Sequence, residues 1–143
     1  MNSTRNPEAA ITELLSVTGQ LLRRLRAVSS TRELTWSQVA ILAHLDKVGP
    51  MTTADLARAE AVKPQSMGGT LASMEMDGLI ERRRHPSDGR QILFALTTEG
   101  FETRRKIRLA KREWITSAVS KLTPAEQQKL ISAVALIRSL ANS

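Results

Sequence analysis

The chain has 143 residues, of which 41% are apolar and 24% charged, enough for one packed domain or compact subunit and too apolar for a disordered polymer. It carries no cysteine, which excludes disulfides, thiolate metal sites and cysteine-based redox sensing. The formal net charge of +7 favours a polyanionic partner: DNA, RNA or an anionic membrane surface. Aromatic residues make up only 3%, with no Tyr, so single strands read by aromatic stacking are a poor fit. His44 and His85 are too far apart in sequence to suggest a zinc site. No apolar run reaches the roughly 18 residues of a membrane span, and the N-terminus MNSTRNPEAA lacks a signal-peptide core. A cytoplasmic location is the expectation.

Residues 1–5 read as a loose tail. Asn6 suits a helix N-cap with Pro7 at the first helical position. Ile11, Leu14, Leu15, Leu21, Leu22, Leu25 and Val28 then recur at helical spacing along one stripe, with Arg23, Arg24 and Arg26 near the C-terminal end of the dipole. A second helix starts at Thr35, where Gln38 completes a capping box and Leu34 and Val39 form a hydrophobic staple. Trp36, Val39, Ala40 and Ala43 are expected to supply its apolar face, with Ile41 and Leu42 adding bulk. Gly49-Pro50 stops it. Thr52 can cap a short third helix with Leu56 buried, Ala61-Val62-Lys63 is a turn, and Pro64 opens a fourth helix ending near Gly78.

Leu79–Arg84 and Arg90–Leu96 read as strands, with Ile92, Phe94 and Leu96 expected on a buried face. Pro86-Ser87-Asp88-Gly89 supplies turn chemistry between them. Thr97 or Thr98 caps a long helix carrying Phe101, Ile107, Trp114, Ile115, Ala118 and Leu122. Thr123-Pro124-Ala125-Glu126 begins the last helix, with a stripe of Leu130, Ile131, Val134, Ile137 and Leu140. The order is mainly α with a small β-hairpin. That is the order of a winged helix-turn-helix with N- and C-terminal dimerisation helices. The division expected is 1–34, 35–97 and 98–143. The terminal stripes exceed what a small central lobe can cover, and a two-fold dimer is the simplest way to bury them.

The fourth helix divides by spacing. Met67, Leu71 and Met74 face a core, while Gln65, Ser66, Gly69, Thr70 and Ser73 lie opposite. Gln can pair bidentately with adenine, and Ser and Thr suit bases or phosphates; a solvated helix face is the competing reading. Gly68-Gly69 costs roughly 1 kcal/mol per glycine inside a helix, explained either by close approach to a groove wall or by packing on a neighbouring helix. In the hairpin, Arg82, Arg83, Arg84, His85 and Arg90 flank the turn, and a narrow minor groove attracts arginine. Asp88 either orients Arg90 by a charge-assisted bond or serves as a turn former alone. A second basic block, Arg104, Arg105, Lys106, Arg108, Lys111 and Arg112, reads mostly as a solvated face.

Leu71, Gly78-Leu79-Ile80, Arg82, Pro86-Ser87-Asp88-Gly89-Arg90 and Leu96-Thr97-Thr98-Glu99-Gly100 together resemble the MarR family of bacterial transcriptional regulators. Leu122-Thr123-Pro124-Ala125-Glu126 is also similar to that family, and the resemblance runs from about residue 8 to 141. It implies an obligate homodimer joined through the first and last two helices. It also implies that Arg90 enters the minor groove, held by Asp88, and that Gln65, Ser66, Gly69, Thr70 and Ser73 form the exposed recognition face. Arg83 and Arg84 join them as candidate DNA contacts. Two departures stand out: Gly68-Gly69 replaces larger polar groups, and Gly89 leaves one wing-tip arginine rather than a pair. Many members are repressors released by small aromatic or phenolic ligands. Trp36 and His44 are conceivable lining residues for such an effector, with core packing as the alternative.

The expected function is sequence-specific binding of double-stranded DNA by a homodimeric regulator, probing a near-palindromic operator as a repressor. A non-specific architectural DNA-binding protein is the alternative, and a protein-interaction module a third. No catalytic constellation, phosphate loop or metal spacing is present in the sequence, and no cofactor is expected.

Overall fold

The computed structural model describes residues 6–29 and 34–143; the expected N-terminal tail, residues 1–5, lies outside them. The described chain forms α1 (Pro7–Val28), α2 (Trp36–Val48), β1 (Met51–Thr52), α3 (Thr53–Glu60), α4 (Pro64–Met76), β2 (Ile80–Arg84), β3 (Ile92–Leu96), α5 (Thr98–Ser120) and α6 (Pro124–Ala141). Two compact units result. One contains α1 with residues 110–143, and the other spans residues 29–109. The first turns of α5 thus pack within the central unit, where Gly100, Thr103 and Ile107 are buried.

Local chemistry sets the element boundaries. The Asn6 side chain accepts the Glu8 amide at 3.1 Å. At α2 the capping box forms in both directions: Gln38 N–H donates to Thr35 Oγ1 at 3.2 Å, and Thr35 N–H to Gln38 Oε1 at 2.9 Å. Leu34 and Val39 pack on the core as the staple requires. Gly49 ends the helix at φ 95°, a backbone region costly for a side chain with a Cβ. Thr52 Oγ1 accepts the Asp55 amide at 3.1 Å to start α3.

The central core gathers Ile41, Leu42 and Leu45 of α2, Leu56 of α3, Met67, Leu71 and Met74 of α4, Leu79 and Ile80, Phe94 and Leu96, and Ile107. This corrects the expected α2 face. Trp36 is 48% exposed, while Gln38, Ile41, Leu42 and Leu45 are buried. The spacing 38–41–42–45 turns the long aliphatic side chains inward, and Gln38 can be buried because its amide is used in the cap. Phe101 is likewise exposed rather than packed.

The sheet has three antiparallel strands in the order β1-β3-β2. The short β1, absent from the sequence expectation, pairs Met51 with Phe94 and Thr52 with Leu93. Strict alternation along β3 also fails. Ile92 is 45% exposed and Phe94 6%, but Ala95 and Leu96 are both buried. The end of β3 near α5 is enclosed on both faces, whereas Ile92 pairs with Arg84 at the outer end of the hairpin. Depth along the strand overrides the period of two there.

In the terminal unit, α1 and α6 contain no buried residue. Ile11, Leu15, Val17, Ile131, Leu136 and Leu140 are all exposed. Within it, Arg24 stacks its guanidinium 5.9 Å from the Trp114 ring centroid. Gln127 Nε2 donates to the carbonyls of Val119 and Leu122 at 3.2 and 3.3 Å, tying the α5–α6 corner. Thr123 and Glu126 close a second capping box. Hydrogen bonds from the Thr123 backbone amide and then from the Thr123 side chain lower the Glu126 carboxyl below its usual range.

Candidate nucleic-acid interface

The α3–α4 pair makes the helix-turn-helix. Ala61 takes a left-handed conformation at φ 53°, and the Val62 amide then reaches back to the Ala57 carbonyl at 3.0 Å, ending α3 sharply. Pro64 sits at the start of α4, where its missing N–H costs nothing. Met67, Leu71 and Met74 are buried as their spacing requires. Gln65, Ser66, Gly69 and Ser73 are exposed and Thr70 half-buried, so one helix presents a polar face of small groups. Thr70 donates its hydroxyl to the Ser66 carbonyl at 3.2 Å.

A methyl group placed on Gly68 or Gly69 meets nothing within 4 Å. Packing against a neighbouring helix within the chain therefore does not account for the glycines. Their effect is to lower the outer surface of α4, which lets another molecule approach its backbone.

The wing is built differently from its sequence expectation. Its hydrogen-bonded turn runs from Asp88 to Gln91, with Gln91 N–H donating to the Asp88 carbonyl at 3.1 Å. Gly89 and Arg90 occupy the two central positions. Asp88 Oδ1 accepts the backbone N–H of Arg90 at 3.0 Å. Of the two readings of Asp88, this bond is that of the turn former: an Asx-turn places the carboxylate over the amide two residues on. Asp88 fixes the stem of Arg90 and leaves its head outward. His85 braces the same loop: its Nδ1 accepts the amides of Ser87 and Asp88 at 3.2 and 3.1 Å.

The arginines at 82–84 have three different fates. Arg82 bonds Glu75 of α4 through Nε at 3.0 and 3.1 Å. Arg83 pairs with Glu81 at 3.0 Å and, opposite Leu93 in the ladder, lies on the other face of the hairpin from Arg82. Arg84 and Arg90 are exposed, and among the described residues no carboxylate pairs with either guanidinium. Of the basic block on α5, Arg104 and Arg108 reach Asp46 at 3.4 and 3.7 Å. Burial lowers the Arg104 pKa against the opposing pull of Asp46. Arg104 thus belongs to the packing of α5 on α2, whereas Arg108 keeps an exposed side chain while reaching the same carboxylate.

The suggested effector residues are not adjacent. Trp36 and His44 stand eight positions apart on α2, roughly 12 Å along the axis. His44 Nε2 is 2.6 Å from Glu60 Oε1, joining α2 to the last residue of α3. Core packing does not describe the half-exposed Trp36. Among the described residues no group of acids and histidines could hold a metal ion. No helix there is long and apolar enough to cross a membrane.

A recognition helix with a lowered polar face, braced beside a basic hairpin on one core, defines a winged helix-turn-helix built for duplex DNA. The MarR family model matches residues 34–92. A HTH-type transcriptional regulator of Mycobacterium tuberculosis is 35% identical over 121 residues, covering 85% of each chain. A HTH-type transcriptional repressor of the same organism is 28% identical over 123 residues, covering 85% of this chain and 88% of its own. The crystal structure of RV1404 from M. tuberculosis superposes with a TM-score of 0.87 at 25% identity, covering 97% of each chain. The chain belongs to the MarR family of DNA-binding transcriptional regulators, which are not enzymes.

Proposed function

We propose that the protein is a repressor that binds a near-palindromic operator as a homodimer. Each α4 enters a major groove, with the two copies ~34 Å apart, while Arg90 and Arg84 of the wing reach the flanking minor groove. Gln65, Ser66, Gly69, Thr70 and Ser73 form the base-facing surface, and Asp88 presents Arg90 by holding its backbone. Arg83, already paired with Glu81, contributes to phosphate attraction once that pair opens. The observation that carries this reading is the open surface over Gly68 and Gly69, together with two exposed wing arginines that no carboxylate among the described residues pairs with. The dimer is supported by the unburied apolar side chains of α1 and α6. Repression is supported by the relative named as a repressor.

Release by a small aromatic or phenolic effector completes the reading. An effector acts only through different affinities for DNA-competent and incompetent states. The exposed Trp36 indole offers a fluorescence report of such binding. A ligand using His44 must compete with Glu60.

Fluorescence anisotropy tests the reading on duplex from upstream of the protein's own gene and on random duplex, over a salt series. A preference of ~10³-fold or more at physiological salt is expected. Equal affinities that fall together with rising salt would instead indicate binding driven by phosphate alone. Arg90→Ala is expected to cost about 1–3 kcal/mol of operator binding, and unchanged affinity at fixed salt would remove the wing from the interface.

A further inference from the structure

The basic wing contains one arginine that is turned away from the role its sequence suggests. Arg82 donates Nε–H to both carboxylate oxygens of Glu75, at 3.1 and 3.0 Å. Its guanidinium also lies 5.6 Å from the ring centroid of Phe94, its direct partner across the β2–β3 ladder. Phe94 is buried and is paired on its other side with Met51 of β1. Glu75 lies in the last turn of α4. One side chain therefore links the C-terminal end of the recognition helix to the middle strand of the sheet that carries the wing.

We propose that Glu75 and Arg82 are positioning residues that set the angle between the recognition helix and the wing, and thereby the specificity of DNA binding, with Arg82 making no phosphate contact of its own. Half-exposed ion pairs contribute little to global stability, so a stabilising role is a weak reason for this geometry. An orientational role is a stronger one. The planar guanidinium is held by a carboxylate on one edge and an aromatic face on the other, which defines direction as well as distance. Reading bases with α4 while Arg90 reaches a neighbouring groove requires both elements to arrive in register. A small rotation of the hairpin about its base displaces the wing tip most. Phosphate attraction tolerates such a displacement, and base readout does not.

The inference rests on the DNA-binding reading above, and the test separates the two. The probes are the duplex that the wild-type protein enriches from a randomised pool and a scrambled duplex of equal length. Affinities are measured over a salt series for wild type, Glu75→Ala, Arg82→Gln, Arg82→Lys and the Glu75→Ala/Arg82→Gln double variant. Each single variant is expected to lower the ratio of selected to scrambled affinity about tenfold. The double variant should lose no more than either alone, the signature of groups acting as a unit. Arg82→Gln should leave the salt slope on scrambled duplex unchanged, and Arg82→Lys should behave like Arg82→Gln despite keeping the charge. A salt slope shallower by about one for Arg82→Gln, with full selectivity in Glu75→Ala, would make Arg82 a phosphate contact and overturn the inference alone. Failure of the wild-type protein to enrich any sequence would overturn the specific-binding reading and this inference together. Melting curves of each variant exclude loss of fold as the cause, and Arg82→Lys, the mildest change, carries the test if another variant fails to fold.

Discussion

Single residues here are constrained by what their neighbours' backbones leave free. Gly100 is the sharpest case. A Cβ built on it would lie 2.0 Å from the Leu79 carbonyl oxygen, and a backbone atom cannot swing aside as a side-chain tip can. Around that contact, Thr97 Oγ1 donates to the Gly78 carbonyl at 2.6 Å and accepts the Gly100 amide at 3.0 Å. Gly100→Ala is expected to destabilise the protein by about 1–3 kcal/mol, as overpacking does, or to displace the start of α5. Denaturant unfolding measures it, and a stability within ~0.5 kcal/mol of wild type would show that the approach is not tight. Gly68 and Gly69 are the opposite case, since a methyl group fits both. Among the described residues nothing stands in the way of a side chain at either position.

At the scale of elements, the turn between α3 and α4 carries a left-handed alanine at Ala61. That conformation costs an L-residue roughly 1–2 kcal/mol, partly offset by the lower unfolded-state entropy of alanine compared with glycine. Ala61→Gly is thus expected to raise stability by up to about 1 kcal/mol with operator affinity retained. A loss of stability on thermal melting would show that the Ala61 methyl group packs usefully.

The same scale shows what was legible beforehand. α4 was readable because Met67, Leu71 and Met74 fall on one helical stripe, and α2 because Thr35 and Gln38 spell out a reciprocal cap. β1 was not, because its two residues, Met51 and the α3 cap Thr52, follow Gly49-Pro50 directly and are too few to carry a period. The exposure of Trp36 is not legible, because apolar character says nothing about which of two apolar arcs faces the core; Ile41, Leu42 and Leu45 take that place. The wing's location was legible from its turn residues and arginines, but the division of labour was not. Arg82, Arg83 and Arg84 are chemically alike, and their fates depend on Glu75, Phe94 and Glu81, which strand register and helix position bring alongside. The turn-forming role of Asp88 is legible in its sequence context; its bond to the Arg90 amide is not, because a side-chain argument does not consider backbone donors.

For the whole molecule, the decisive quantity is the apolar surface left on α1 and α6. Leu15 and Leu136 are 71% and 70% exposed, and neither helix buries a residue of its own. A monomer carrying that surface would bind its own kind or aggregate. In the proposed dimer, folding and association are linked, so the melting temperature should rise with protein concentration. Sedimentation should give twice the 15.8 kDa chain mass. A 15.8 kDa species with concentration-independent melting would sink the dimer and, with it, the paired-groove geometry.

The clasp of Thr97 and Gly100 on Gly78 and Leu79 also divides the hairpin into regions with different lifetimes. The Thr97 amide donates to the Leu79 carbonyl at 3.1 Å, at the closed base. The amides of His85 and Gln91, by contrast, bond only within the exposed turn, at 3.3 and 3.1 Å. Opening at the base demands separation of buried backbone, while opening at the tip demands none. Amide hydrogen exchange should therefore fall into two classes, with Thr97 and Gly100 exchanging near the rate of global unfolding and Gln91 and Arg90 orders of magnitude faster. Uniform protection from base to tip would contradict this. A wing of this kind can search a groove with its outer turn while its root stays locked, so adapting to DNA need not disturb the recognition helix beside it.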